Sequence, residues 1–160
     1  LVDFDLRSPS VERYLNVNSE PGVADVLLGR SSLDEVIRSV GVRNLSIIGA
    51  GSRAATPSEL LTGPRIQELF ARLKERFQYV IIDTPPALSA TDASVIAAQA
   101  DGTLMVVRLE RSQKSMTRDA LRTLQELGAN VLGTFVTEER GMNPEADPRL
   151  GYANVGEEVD

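Results

Sequence analysis

The segment Tyr79-Val80-Ile81-Ile82-Asp83-Thr84-Pro85-Pro86 limits the possible folds more than any other. Aromatic and β-branched residues run without polar alternation into an acid and two prolines. Such a run predicts a strand covered on both faces in a parallel sheet. Proline lacks the N–H that a central ladder needs, so the strand ends at Asp83. Asp83 therefore falls at the carboxyl end of a central strand, where open α/β sheets bind ligands. A carboxylate there suits Mg²⁺, a hard cation that takes few protein oxygens and completes its shell with water and phosphates. The plainer reading is a strand-end acid that caps the next turn.

Leu1-Val2-Asp3-Phe4-Asp5-Leu6-Arg7 reads as a partner strand. Residues two apart in an extended chain share a side, so Asp3 and Asp5 lie together. Ser8-Pro9 again puts acids at a strand end. Two acidic strand ends suit a nucleotide-metal site, which needs carboxylates converging from neighbouring strands. The alternative is a pair of turn-forming acids.

Between and beyond these strands, helical and strand patterns alternate, the signature of an α/β layer architecture. Pro9 starts a short helix through Tyr14, and Gly22 to Leu28 forms another that stops at Gly29. Ser32 and Glu35 make a capping box for a helix that buries Leu33, Val36, Ile37 and Val40. Leu45 to Ile48 is a short strand broken by Gly49-Ala50-Gly51, a plain turn. Thr56 and Glu59 suggest a second capping box, with Pro57 at the first helical position. Ile66, Leu69, Phe70, Leu73 and Phe77 line one face of a longer helix after Pro64. Ala93 to Ala100 is a helix of small residues, Thr103 to Val107 a buried strand, and Val131 to Val136 the last strand. Met116, Ala120, Leu124 and Leu127 mark the apolar face of the helix before Gly128. Tyr14 and Tyr79 are expected to be packed. Residues 1–137 thus form one domain, and 138–160 a polar, acidic tail expected to be disordered.

With 42% hydrophobic residues over 160 positions, the chain can bury a core. A net charge of −6 argues against a nucleic-acid partner. The absence of cysteine and histidine removes disulfides, thiol and imidazole catalysis and most zinc sites. The opening inside an apolar strand, at Leu1, is read as a record that starts part-way into a longer protein.

These segments resemble the bacterial tyrosine kinases of exopolysaccharide and capsule synthesis, relatives of the MinD/ParA-like P-loop ATPases. Asp3-x-Asp5-x-Arg7 followed by Pro9 is similar to the family's second Walker motif. Gly22-x-x-Asp25-x-Leu27-x-Gly29 and Ala50-Gly51 with Pro57-Ser58-Glu59-Leu60-Leu61 match two segments that separate the family from its ATPase relatives. Asp83-Thr84-Pro85-Pro86 with Thr91-Asp92-Ala93 resembles its Walker B region. The resemblance implies a mostly parallel sheet with helices on both faces, and ATP and Mg²⁺ as cofactors in the complete protein. It implies autophosphorylation on tail tyrosines, of which this tail carries Tyr152. Asp3 and Asp5 would be catalytic, Asp83 and Asp5 would hold the metal, and Asp3, Asp83 and Thr137 would contact the nucleotide. Arg7 matches the motif with no role attached. The implied partners are a membrane polysaccharide co-polymerase or activator domain, in cis or in trans, protein substrates with tyrosine, and further copies in a homo-oligomer. The implied location is cytoplasmic, at the inner face of the plasma membrane.

Three departures accompany the match. The 160 residues contain no glycine-rich phosphate loop with its Lys and Ser/Thr. In the family that loop and its strand precede the segment matched by Leu1, and the expected place for the strand is between the two acidic strand ends. Thr137 stands where the family has asparagine near the adenine, and the tyrosine-rich tail is reduced to Tyr152. A non-catalytic scaffold of the export machinery is the alternative, and a MinD/ParA-like ATPase a third.

Overall fold

A computed structural model describes residues 1–88, 91–109 and 112–137. Its elements follow one another as β1 (Val2–Asp3), α1 (Val11–Leu15), α2 (Val23–Leu27), α3 (Leu33–Val36), β2 (Arg38–Ser39), β3 (Ser46–Ile47), α4 (Pro57–Thr62), α5 (Pro64–Arg76), β4 (Ile82–Asp83), α6 (Asp92–Ala97), β5 (Thr103–Arg108), α7 (Lys114–Glu126) and β6 (Val131–Thr137). Helices and parallel strands alternate, as the α/β pattern predicts.

β1 lies in the middle of its sheet. On one side it pairs in parallel with β4, Val2 opposite Ile82 and Asp3 opposite Asp83. On the other, a parallel bridge joins Val2 to Ile48. β3 pairs in antiparallel fashion with β2. β5 and β6 form a separate parallel pair, Val106 opposite Phe135. The expectation of a strand inserted between the two acidic strand ends is therefore corrected. The Phe4 N–H donates to the Asp83 carbonyl at 2.8 Å, leaving no room for one.

Burial on both faces fails for the Tyr79–Asp83 segment. Only Ile82 and Asp83 are laddered, and Tyr79 and Ile81 are 80% and 67% exposed. Strand β5 likewise buries Met105 and leaves Leu104 and Val106 exposed. A continuous apolar run states what a strand can bury; the partners present decide what it does bury. Tyr14, also expected to be packed, is 86% exposed.

The principal core gathers Val2, Phe4, Val23, Leu27, Leu33, Val36, Ile48, Leu61, Ile66, Leu69, Leu73 and Ile96. Phe4 meets Phe70 edge to face, ring centres 5.6 Å apart. A smaller core joins Ala97, Met105, Ala120, Leu124 and Ala129. Helix α6 spans the two, with Ile96 in one and Ala97 in the other.

Local signals succeed where they are self-contained. Glu35 accepts both the backbone N–H and the hydroxyl of Ser32, at 2.6 and 2.8 Å, closing the first capping box. The second box does not form: Thr56 makes no side-chain cap at α4. The helix expected to bury Val40 ends at Val36, because Arg38 and Ser39 extend to pair with β3. On α7, Met116 and Leu127 are exposed and only Ala120 and Leu124 are buried.

Among the described residues β4 pairs only with β1, and the exposed apolar side chains of Tyr79 and Ile81 lie just before it. Bare strand edges of this kind template pairing between chains. The chain is expected to self-associate as its concentration rises, and Ile81→Lys with Val106→Lys to suppress this, read by light scattering on a sizing column. A native chain that stays monomeric throughout overturns the expectation.

Candidate functional site

The parallel register sets Asp3 beside Asp83 at the carboxyl ends of neighbouring strands. Asp3 has no exposed surface. Its Oδ1 accepts the Asp5 N–H at 2.9 Å, and its Oδ2 accepts those of Ser10 and Val11, each at 3.1 Å. Asp3 thereby bends the chain after β1 and satisfies two N–H groups at the start of α1, where Ser10 makes no side-chain cap. Asp5 is half-buried, and its Oδ1 accepts the N–H groups of Arg7 and Ser8 at 3.1 and 2.9 Å. Its other carboxylate oxygen has no hydrogen bond among the described residues.

Asp83 lies on the exposed rim. Desolvation by the surrounding protein raises its pKa above the ordinary carboxylate value, and the charges of Asp3 and Asp5 raise it further, against one lowering N–H bond from Thr84. Negative charge thus accumulates without a cationic partner among the groups that shift Asp83. That is the electrostatics a divalent cation relieves, so the donor set fits Mg²⁺. Among the described residues no three acids cluster as a self-sufficient metal cage.

Around the acids, segments distant in sequence lock together. Arg7 Nε donates to Asp92 Oδ2 at 2.7 Å, and its Nη2 donates to Ser58 Oγ at 2.8 Å. Ser58 Oγ donates in turn to Asp92 Oδ1 at 2.7 Å. Burial opposes ionisation of Asp92, but the Arg7 and Ser58 bonds outweigh it and hold its carboxyl below the usual range. A second lock lies at the start of α2. Buried Asp25 accepts the N–H groups of Gly22 and Ser52 at 2.9 and 3.0 Å. Burial again opposes its ionisation, and these N–H bonds again win, lowering the pKa. The Val23 and Ala24 N–H groups donate to the carbonyls of Gly49 and Ala50. A methyl group on Gly22 would stand 2.3 Å from the Gly49 oxygen, so only glycine permits this approach.

Of the residues singled out by sequence, Asp3, Asp5 and Asp83 come together. Thr137 does not join them: it ends β6 opposite Arg108, and its hydroxyl reaches the Val107 carbonyl at 3.5 Å. Tyr152 and the 138–160 tail lie outside the described residues. Sequence reasoning missed Ser58, Asp92 and Asp25, and left Arg7 without a role. Each belongs to a recognised segment, but no spacing rule links positions up to 85 residues apart.

Comparison with known proteins gives the family and the fold. A family model described as an AAA domain matches residues 1–131. The kinase domain of VpsO superposes with a TM-score of 0.81 at 30% identity, over 86% of this chain and 68% of that one. The chain belongs to the bacterial tyrosine kinases of the P-loop class. The kinase domain of the Escherichia coli tyrosine kinase ETK superposes at 0.82 with 28% identity, over 86% of this chain and 54% of that one. The putative tyrosine-protein kinase EpsB of Ralstonia nicotianae is 38% identical over 133 residues, 83% of this chain and 18% of that protein. The tyrosine-protein kinase ptk of Acinetobacter johnsonii is 34% identical over 138 residues, 86% of this chain and 19% of that protein. The chain thus spans under a fifth of the length of these curated kinases.

Two outcomes are expected. Gly22→Ala destabilises the fold by about 3 kcal/mol, measured by denaturant unfolding, because the added methyl overlaps backbone and not a movable side chain. Asp83→Asn melts higher than the native chain at neutral pH. A carboxylate whose folded pKa is raised destabilises the fold once ionised. The difference should therefore be full above the folded pKa and vanish below the ordinary value of about 3.9. A lower melting temperature for Asp83→Asn at pH 7 would contradict this.

Proposed function

We propose that this chain is the carboxylate-bearing part of an ATP-dependent protein-tyrosine kinase acting in exopolysaccharide or capsule synthesis. The observation that carries the reading is the register of Asp3 beside Asp83 on adjacent parallel strands, in a chain similar to named tyrosine kinases. When bound, magnesium neutralises charge on the phosphates during phosphoryl transfer. Asp83 and the open oxygen of Asp5 would hold it. Asp3 was expected to act as the base-like carboxylate. With no exposed surface and three backbone N–H bonds, it acts in this proposal by holding Asp5 and the start of α1 in place. Thr137 at the end of β6 would approach the nucleotide base, and Tyr152 would accept phosphate from another copy.

The phosphate loop belongs, in this reading, to a strand on the free edge of β4. A strand there would end beside Asp83 with β1 behind it. We place the protein at the inner face of the membrane, working with a membrane activator domain and in oligomers. No described helix is long and apolar enough to cross a membrane.

The test uses the longer protein that carries this segment together with a phosphate loop. Incubated with magnesium and ATP, it should gain phosphotyrosine, and Asp83→Asn or Asp5→Asn should slow this by about a hundredfold or more. Nucleotide binding without phosphotyrosine would favour the scaffold reading. ATP hydrolysis without phosphotyrosine would favour a partitioning-type ATPase.

A further inference from the structure

We propose that Arg7 is a positioning residue: by clamping Ser58 and Asp92 it fixes the loop carrying Asp5 against the segment carrying Asp83, and so sets the spacing of the two carboxylates that face a divalent cation. The cation part of this inference rests on the function proposed above.

The bonds that shape the loop after β1 are local. Asp3 holds the N–H groups of Asp5, Ser10 and Val11, and Asp5 holds those of Arg7 and Ser8. They define how the loop is folded; beyond Phe4, whose N–H reaches the Asp83 carbonyl at 2.8 Å, they leave open where it sits relative to the loop after β4. Arg7 supplies that link. Its backbone N–H donates to Asp5, while its side chain donates to Asp92, 85 residues away. Asp92 opens α6, the helix that follows the Asp83-Thr84-Pro85-Pro86 segment. With 2% of its surface exposed and α6 packed into both cores, Asp92 is a rigid anchor.

The geometry calls for arginine. Two different guanidinium nitrogens reach two different acceptors, Asp92 Oδ2 and Ser58 Oγ, at 2.7 and 2.8 Å. A planar fork does this with its donors already spread, whereas a lysine ammonium offers one compact donor. Ser58 completes the triangle by donating to the second Asp92 oxygen and brings α4 into the same joint. Among the described residues the Arg7 side chain bonds to Asp92 and Ser58 and not to Asp3 or Asp83, so its effect on a cation would pass through Asp5 and through α6.

The experiment compares the native chain with Arg7→Gln, Arg7→Lys and, as a control at the separate buried joint before α2, Asp25→Asn. Amide hydrogen exchange is measured on the chain alone, and Mn²⁺ affinity, with Mn²⁺ as the probe for Mg²⁺, with ADP added as the source of phosphate oxygens. Arg7→Gln should speed exchange at the residue 7 and Ser8 amides about tenfold, while the Ser10 and Val11 amides, held by Asp3, change little. Mn²⁺ binding should weaken about tenfold in both Arg7 variants, Lys included, and stay unchanged in Asp25→Asn. Uniformly faster exchange along the chain with unaltered Mn²⁺ affinity would reduce Arg7 to a stabilising bridge and overturn the proposal. A native chain that binds no Mn²⁺ would overturn the cation reading of Asp5 and Asp83, while the exchange pattern still decides whether the clamp exists.

Discussion

The parallel pairing of β1 with β4 brings two carboxylates side by side at one rim of the sheet. Like charges this close repel, and the chain treats its acids unequally. Asp3 is buried and takes three backbone N–H bonds. Asp5 takes two on one oxygen. Asp83 is left with raised proton affinity, a single Thr84 N–H, and exposure to solvent. Compensation is thus concentrated on the acids that build the loop and withheld from the one on the rim. Uneven satisfaction of this kind is what the proposed role of Asp83 as a ligand-facing group would require.

The segments that carry the family resemblance are also the segments that touch one another. Gly22 and Asp25 from one meet Gly49, Ala50 and Ser52 from another, through backbone contacts that exclude a side chain at Gly22. Arg7 and Asp92, from two other segments, close with Ser58, from the same segment as Ala50, into a single hydrogen-bonded triangle. Motifs that look like independent stretches of sequence are therefore halves of shared joints. The buried acids in those joints, Asp25 and Asp92, are ionised structural groups, each held down in pKa by its donors against the cost of burial.

Much of this fold was legible beforehand, for identifiable reasons. Periodicity found α5 and the buried face of Ile66, Leu69, Phe70 and Leu73, because a helix's apolar stripe is written within a single window. The Ser32–Glu35 cap was legible because both partners lie within one turn. Strand neighbours were not. Nothing in Leu1–Asp5 or Tyr79–Asp83 states which strand lies alongside, and the expected insertion between them proved wrong because they pair directly. Exposure of Tyr14, Tyr79, Ile81 and Val106 was equally hidden, since an apolar residue reports its preference and not its cover. The site acids were legible as strand ends; the residues that position them were not, because their partners are remote in sequence.

The position of β4 carries a consequence for how a nucleotide would be approached. With β1 occupying one edge of β4, any further strand can join this part of the sheet only along the other edge, where Ile81 is exposed. A phosphate-binding loop arriving on such a strand would meet Asp83 first. Asp3 would stay behind it in the second row, consistent with its burial and its filled hydrogen bonds. Asp5, two residues beyond the end of the strand pair and open on one oxygen, would then be the acid able to lean forward over the rim. In the proposed reading the division of labour among three similar carboxylates would follow from strand order: the strand nearest the incoming loop would supply the exposed ligand, and the one behind it the scaffold that holds the rest in place.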